Sequence, residues 1–161
     1  MKYLLIMGLL FFNSATASAG TMTQDEMEKI VIKNVEVVEQ KKGYILFMYK
    51  KVKMALISDA KHDRMRIISP IAKYSDLKTE VKDIIEVKDI IMESNFHLAL
   101  DARYAVSNDV LYLAYIHPMS SLTQQQLEGA LNQVSALALT FGNTYSSGEL
   151  SFGGAEKIPN K

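Results

Sequence analysis

The amino-acid sequence predicts an α+β domain in which three helices pack on an antiparallel sheet. Three observations lead there. Apolar residues recur at helical spacing behind a capping threonine near each end of the chain, at Thr23 and Thr123. Between residues 35 and 67, and again between 102 and 116, apolar residues run continuously or alternate with polar ones, as buried and half-buried strands do. The turns joining these runs are a few residues long and can join only antiparallel neighbours, since a parallel crossover needs about a dozen residues or more.

The 161 residues suit one domain. They divide into a signal peptide over 1–19, the domain over 20–146 and a flexible C-terminal tail over 147–161, which holds Gly148, Gly153, Gly154 and Pro159. Lys2 is the first charge and Asp25 the next; between them come the apolar run Tyr3 to Phe12 and the small polar stretch Asn13 to Ala19. That order is the n-, h- and c-region of a secretory signal, with Ala17-Ser18-Ala19 as the cleavage site. The apolar core is far shorter than the ~20 residues needed to span a bilayer. The expectation is a bacterial signal peptide cleaved near Ala19 and a periplasmic or secreted protein with no transmembrane span after cleavage. The chain has no Cys, so the exported domain depends on its core and not on disulfides.

Thr23-Gln24-Asp25-Glu26 forms a capping box, and Met27, Ile30 and Val31 give one apolar stripe, which predicts a helix over 24–33. The β-branched run Ile30-Val31-Ile32 also suits the start of a strand. Val35, Val37 and Val38 precede a turn at Lys41-Lys42-Gly43. Tyr44 to Tyr49 is a buried-strand run; Lys51, Lys53 and Ala55 then alternate with Val52, Met54 and Leu56. After the turn Asp59 to Asp63, Arg64 and Arg66 alternate with Met65 and Ile67. Pro70 to Asp76 leads into a second helix over 77–94, which contains a tandem repeat, residues 80–85 and 86–91. Six residues turn a helix by about 600°, so the second copy is rotated by roughly −120° and the apolar arc widens. Either the duplication sits on a tolerant helix, or one side meets the sheet and the other a second chain. Asn95 ends this helix. Ala102 to Val106 and Val110 to Ile116 form a hairpin about Ser107-Asn108-Asp109. The last helix, over 124–145, carries a core stripe of Leu127, Ala130, Leu131, Val134, Leu137, Ala138, Phe141 and Tyr145.

These elements, and the stretches Asn95-Phe96, Ala102 to Val106 with Val110 to Ala114, and Leu122-Thr123-Gln124-Gln125-Gln126-Leu127, resemble the YbjN family of sensory-transduction regulators. That family is similar to the class I type III secretion chaperones of the Tir-chaperone type. The resemblance implies the order α-β-β-β-α-β-β-α, frequent dimers and a sheet that receives partner segments. The chain departs from those chaperones in carrying an export signal and in its neutral charge.

The sequence offers little chemistry. Eighteen basic residues balance eighteen acidic ones, which argues against a nucleic-acid binder, since that needs a basic face. His62, His97 and His117 have no metal-ligand spacing, and there is no phosphate-binding loop, nucleophile elbow or Cys nucleophile. His97 and His117 flank the hairpin, either facing each other or as two strand-end histidines. No enzyme activity, metal or cofactor is expected. Lys41, Lys42, Lys50, Lys51 and Lys53 gather about one strand, either blunting a sheet edge or meeting an anionic partner.

The last helix is unusual in its outer face. Gln125, Gly129, Asn132, Ala136, Leu139 and Asn143 are uncharged and mostly small, and Glu128 is the only charge between His117 and Glu149. Depletion of charge marks interface centres, so these six residues are the candidate partner interface; the plainer reading is a Gln/Asn-rich solvated face. The expected function is a non-catalytic, exported, chaperone-like interaction module that binds a protein segment, with a homodimer as one form. The alternative is a carrier of a small apolar ligand or lipid in a cavity between sheet and helix.

Overall fold

The structure is a computed structural model and describes residues 21–77 and 84–148. The expected signal peptide, the first copy of the tandem repeat for the most part, and the tail beyond Gly148 lie outside the described residues. Three described helices, α1 (Gln24–Asn34), α2 (Ile84–His97) and α3 (Gln124–Thr140), accompany six strands: β1 (Glu36–Lys41), β2 (Tyr44–Tyr49), β3 (Val52–Asp59), β4 (Arg64–Lys73), β5 (Arg103–Ser107) and β6 (Val110–His117). They form one antiparallel sheet in the order β1-β2-β3-β4-β6-β5. The α+β class with three helices on an antiparallel sheet stands, with four strands before the middle helix where three were expected. The extra strand is β1, an edge whose six residues are all exposed and which shows no alternation of burial.

Alternation sets the layers. Ile45 and Phe47 of β2, Met54 and Leu56 of β3, Met65 and Ile67 of β4, and Leu111 and Leu113 of β6 point to one face and are all but completely buried. Met27 and Val31 of α1, Ile91 of α2, and Leu127, Leu131, Val134 and Leu137 of α3 join them in one core. Burying each such side chain stabilises by roughly 1.5–3 kcal/mol. Both capping boxes form: Thr23 with Glu26, and Thr123 with Gln126.

Three boundaries differ from the sequence reading. β4 continues through Pro70 to Lys73, where the chain was expected to leave the sheet. Proline is tolerated because a bulge lies between Pro70 and Ala72, and Ser69 Oγ donates to the Lys53 carbonyl at 2.8 Å where the β3–β4 ladder ends. α2 runs two residues past Asn95, whose amide turns sideways: its Oδ1 accepts from Tyr104 N at 2.8 Å and its Nδ2 donates to Tyr104 O at 3.2 Å. α3 stops at Thr140, not at 145, because Gly142 takes φ +80° and Asn143 N and Tyr145 N both turn back to the Thr140 carbonyl. Phe141 and Tyr145 still reach the core side, their ring centroids 6.0 and 6.2 Å from that of Tyr104. Ser147, the first residue of the expected tail, is buried: its hydroxyl accepts from Leu100 N at 2.7 Å and its own N–H donates to Leu98 O.

α1 is held by polar contacts as well as by packing. Glu28 is only 9% exposed, and its Oε1 accepts from Gly43 N at 3.0 Å and from Gln24 Nε2 at 3.1 Å. Gly43 turns β1 into β2 at φ +77°, and a Cβ there would sit 2.8 Å from the Ser58 carbonyl oxygen. No described helix is long and apolar enough to cross a membrane.

Candidate interaction surfaces

The six residues of the expected α3 interface have different surroundings. Gln125 and Gly129 line a cleft of about 560 Å³ together with Asp101, Arg103 and His117, and a Cβ on Gly129 would meet nothing within 4 Å. Asn132 is engaged inside the molecule: its Oδ1 accepts from Lys50 Nζ at 2.7 Å and Tyr49 Oη at 2.9 Å. Those bonds brace the β2–β3 turn, where Lys50 and Lys51 both adopt positive φ, a conformation costly for residues with a Cβ. Ala136 is half-buried, Leu139 is 62% exposed, and Asn143 lies beyond the helix end.

The lysines do not make one patch. Lys41 and Lys42 lie at one end of β2, with Lys41 paired to Glu39, while Lys50 and Lys51 lie at the other. A strand of that length separates them by about 20 Å. The histidines are also apart. His62 Nδ1 meets Asp59 Oδ2 at 2.5 Å, His97 Nε2 meets Glu93 Oε2 at 3.3 Å, and His117 Nδ1 meets the Pro118 carbonyl at 2.8 Å. Among the described residues no group of three or more His, Asp or Glu is placed to hold a metal ion. Burial pushes the Tyr104 phenol well above its ordinary pKa, and its Oη donates to the Leu137 carbonyl, a structural contact.

Two other surfaces emerge, the first on the helix whose wide apolar arc was one candidate for meeting a second chain. The first lies between α2 and β5, where a groove of about 370 Å³ is lined by Tyr74, Ile91, Met92, Val106 and Leu111 among others. In its lining Met92 is 66% and Val106 50% exposed, and Phe96, one turn after Met92 on α2, is 74% exposed. The wide apolar arc of the repeat was the signal available for it. The second is the sheet face turned away from the core. Registered partners share a face, so Leu46, Ala55, Ile68, Ala114 and Arg103 form one row across five strands, and Tyr44, Ile57, Arg66 and Ile116 form the next. The described helices pack on the opposite face, and Ile116 is 61% exposed.

In its fold, a six-stranded antiparallel sheet with the described helices on one side, the chain is similar to a type III secretion chaperone. The chain overlays with a TM-score of 0.52 and 14% identity on the Yersinia pestis type III secretion chaperone SycH, solved in complex with a stable fragment of YscM2, covering 74% of this chain and 98% of that one. Lower-scoring likenesses are to the HopA1-SchA chaperone-effector complex (TM-score 0.49, 8% identity, 73% and 88% covered) and the ExsC-ExsE complex (0.47, 11%, 70% and 84%). No protein-family profile and no curated protein matches the sequence.

Proposed function

We propose that this chain is a non-catalytic, exported interaction module that binds a segment of another protein and self-associates. The observation that carries the reading is the one-sided covering of the sheet: Leu46, Ile57, Ile68 and Ile116 face away from all the described helices. Surfaces of this kind mark interaction sites. The similar SycH structure contains a bound protein fragment, which supports the same use here. The α2–β5 rim of Met92, Phe96 and Val106 supplies a separate apolar surface suited to a second copy of the chain. The signal-like pattern of residues 1–19 supports a site of work in the periplasm or outside the cell.

The test has two arms. Light scattering of the full chain should give a dimer mass that falls to monomer in Phe96→Asp, and a monomer mass for the unaltered chain removes self-association. A photo-crosslinker at position 57, on the open face, should trap a protein in the cell envelope, while one at position 42 should not. Trapping lipid alone from position 57 would reverse the reading in favour of an apolar-ligand carrier.

A further inference from the structure

The chain contains three arginines, Arg64, Arg66 and Arg103, against fifteen lysines. The strand register brings all three to the open sheet face, at one end. Arg66 is the partner of Ile116 and Arg103 of Ala114, on opposite sides of β6, while Arg64 follows one residue after Asp63 and lies opposite Asp59. From strand spacing and rise, the Arg66 and Arg103 Cα atoms stand about 12 Å apart with the exposed Ile116 between them. Among the described residues none of the three makes an ion pair: Arg64 and Arg103 each donate to a neighbouring backbone carbonyl only, at 3.2 and 3.0 Å.

Among the described residues, the carboxylates at this end accept hydrogen bonds from other groups and pair with none of the arginines, although Asp101 shares the cleft with Arg103. Asp59 accepts from His62, Asp63 accepts from Ser120 N at 2.8 Å and from Ser120 Oγ at 2.5 Å, and Asp101 accepts from Gln133 Nε2 at 3.3 Å. The backbone is open here as well. β5 pairs with β6 only as far as Ala114, so Tyr115 to His117 hold β4 on one side and border the 560 Å³ cleft, with Arg103 at its rim, on the other.

We propose that this end of the sheet docks an acidic peptide segment in extended conformation. The segment lies along the free edge of β6, and its carboxylates face Arg103 and Arg66 across Ile116. Charge complementarity selects the occupant. Guanidinium groups bind carboxylates bidentately, and an apolar contact flanked by two of them suits a peptide that alternates acidic and apolar residues. The inference deepens the segment-binding reading and rests on it.

The probe is a fluorescein-labelled peptide, Val-Glu-Val-Glu-Val-Thr, with its lysine counterpart as control, followed by anisotropy on the full chain. The acidic peptide should bind and the lysine peptide should not. Arg103→Glu or Arg66→Glu should weaken binding tenfold or more, and Gly129→Glu, which adds a carboxylate to the open cleft, should weaken it severalfold. Lys42→Glu makes the same change in net charge in the β1–β2 turn, four strand spacings or about 19 Å across the sheet from β5, and should change it less than twofold. Equal losses for Arg103→Glu and Lys42→Glu, or no binding of the acidic peptide, would overturn the proposal. So would arginine-dependent binding of phosphatidylglycerol vesicles in place of the peptide. Crosslinking to protein from position 57 that survives such a result would sink this inference alone and leave the broader reading intact.

Discussion

The two outer helices, α1 and α2, each cover one end of the same sheet, and they do so in opposite ways. α1 is sealed: Met27 and Val31 are completely buried, and the buried Glu28 side chain takes up the Gly43 N–H, which a turn would otherwise leave unpaired. α2 is unfinished: Ile91 reaches the core, but Met92 and Phe96 stay 66% and 74% exposed beside Val106. One end of the molecule buries its apolar residues and the other leaves them exposed. The difference teaches where substitutions should affect stability and where they should affect assembly.

The largest effect should come from closing the sealed end against itself. Gly43→Ala places a Cβ at a left-handed φ and against the Ser58 carbonyl, and should destabilise by about 3 kcal/mol, read in chemical denaturation. Next, Glu28→Ala strands the Gly43 N–H and should cost about 2 kcal/mol. At the unfinished end, Asn95→Ala removes two bonds to Tyr104 and should cost about 1–2 kcal/mol, whereas Phe96→Asp should leave monomer stability within about 0.5 kcal/mol. A Phe96→Asp chain as destabilised as Glu28→Ala would erase the contrast between the helices.

The smallest effect is one of pH. The Ser120 hydroxyl and N–H hold the Asp63 carboxyl below its ordinary range, and the His62 ring does the same for Asp59. Both carboxylates are more acidic in the folded chain than in the unfolded one. Their contribution is therefore complete above the ordinary carboxylate pKa and is lost as pH falls through the lower folded values. Thermal melts from about pH 6 down to about pH 2 should show a falling Tm, with a shallower fall in Ser120→Ala. An identical slope in that variant would show that the Asp63–Ser120 contact does not carry the effect.

Much of this architecture is legible in the sequence because it depends on local rules. The threonines at 23 and 123 announce their helices through the residue three places on, and the alternation in β3 and β6 fixes which side chains enter the core. Where the reading fails, the deciding contact is distant or conformational. The apolar period continues through Phe141 and Tyr145, so only the positive φ of Gly142 reveals that α3 has stopped. Asn132 looks like an idle surface amide until Lys50, 82 positions earlier in the chain, is brought to it. The arginines become neighbours only through the β4–β6 and β5–β6 registers, which no spacing within either segment encodes.

The Asn95 amide has a consequence for how far any assembly can grow. By occupying both the N–H and the carbonyl of Tyr104, it acts as a single borrowed rung on the outward side of β5. A newcomer strand would have to evict that rung before it could continue the ribbon. Growth by endless stacking of sheets is therefore checked on this flank, and contacts made there by side chains alone favour closed, finite complexes over fibres.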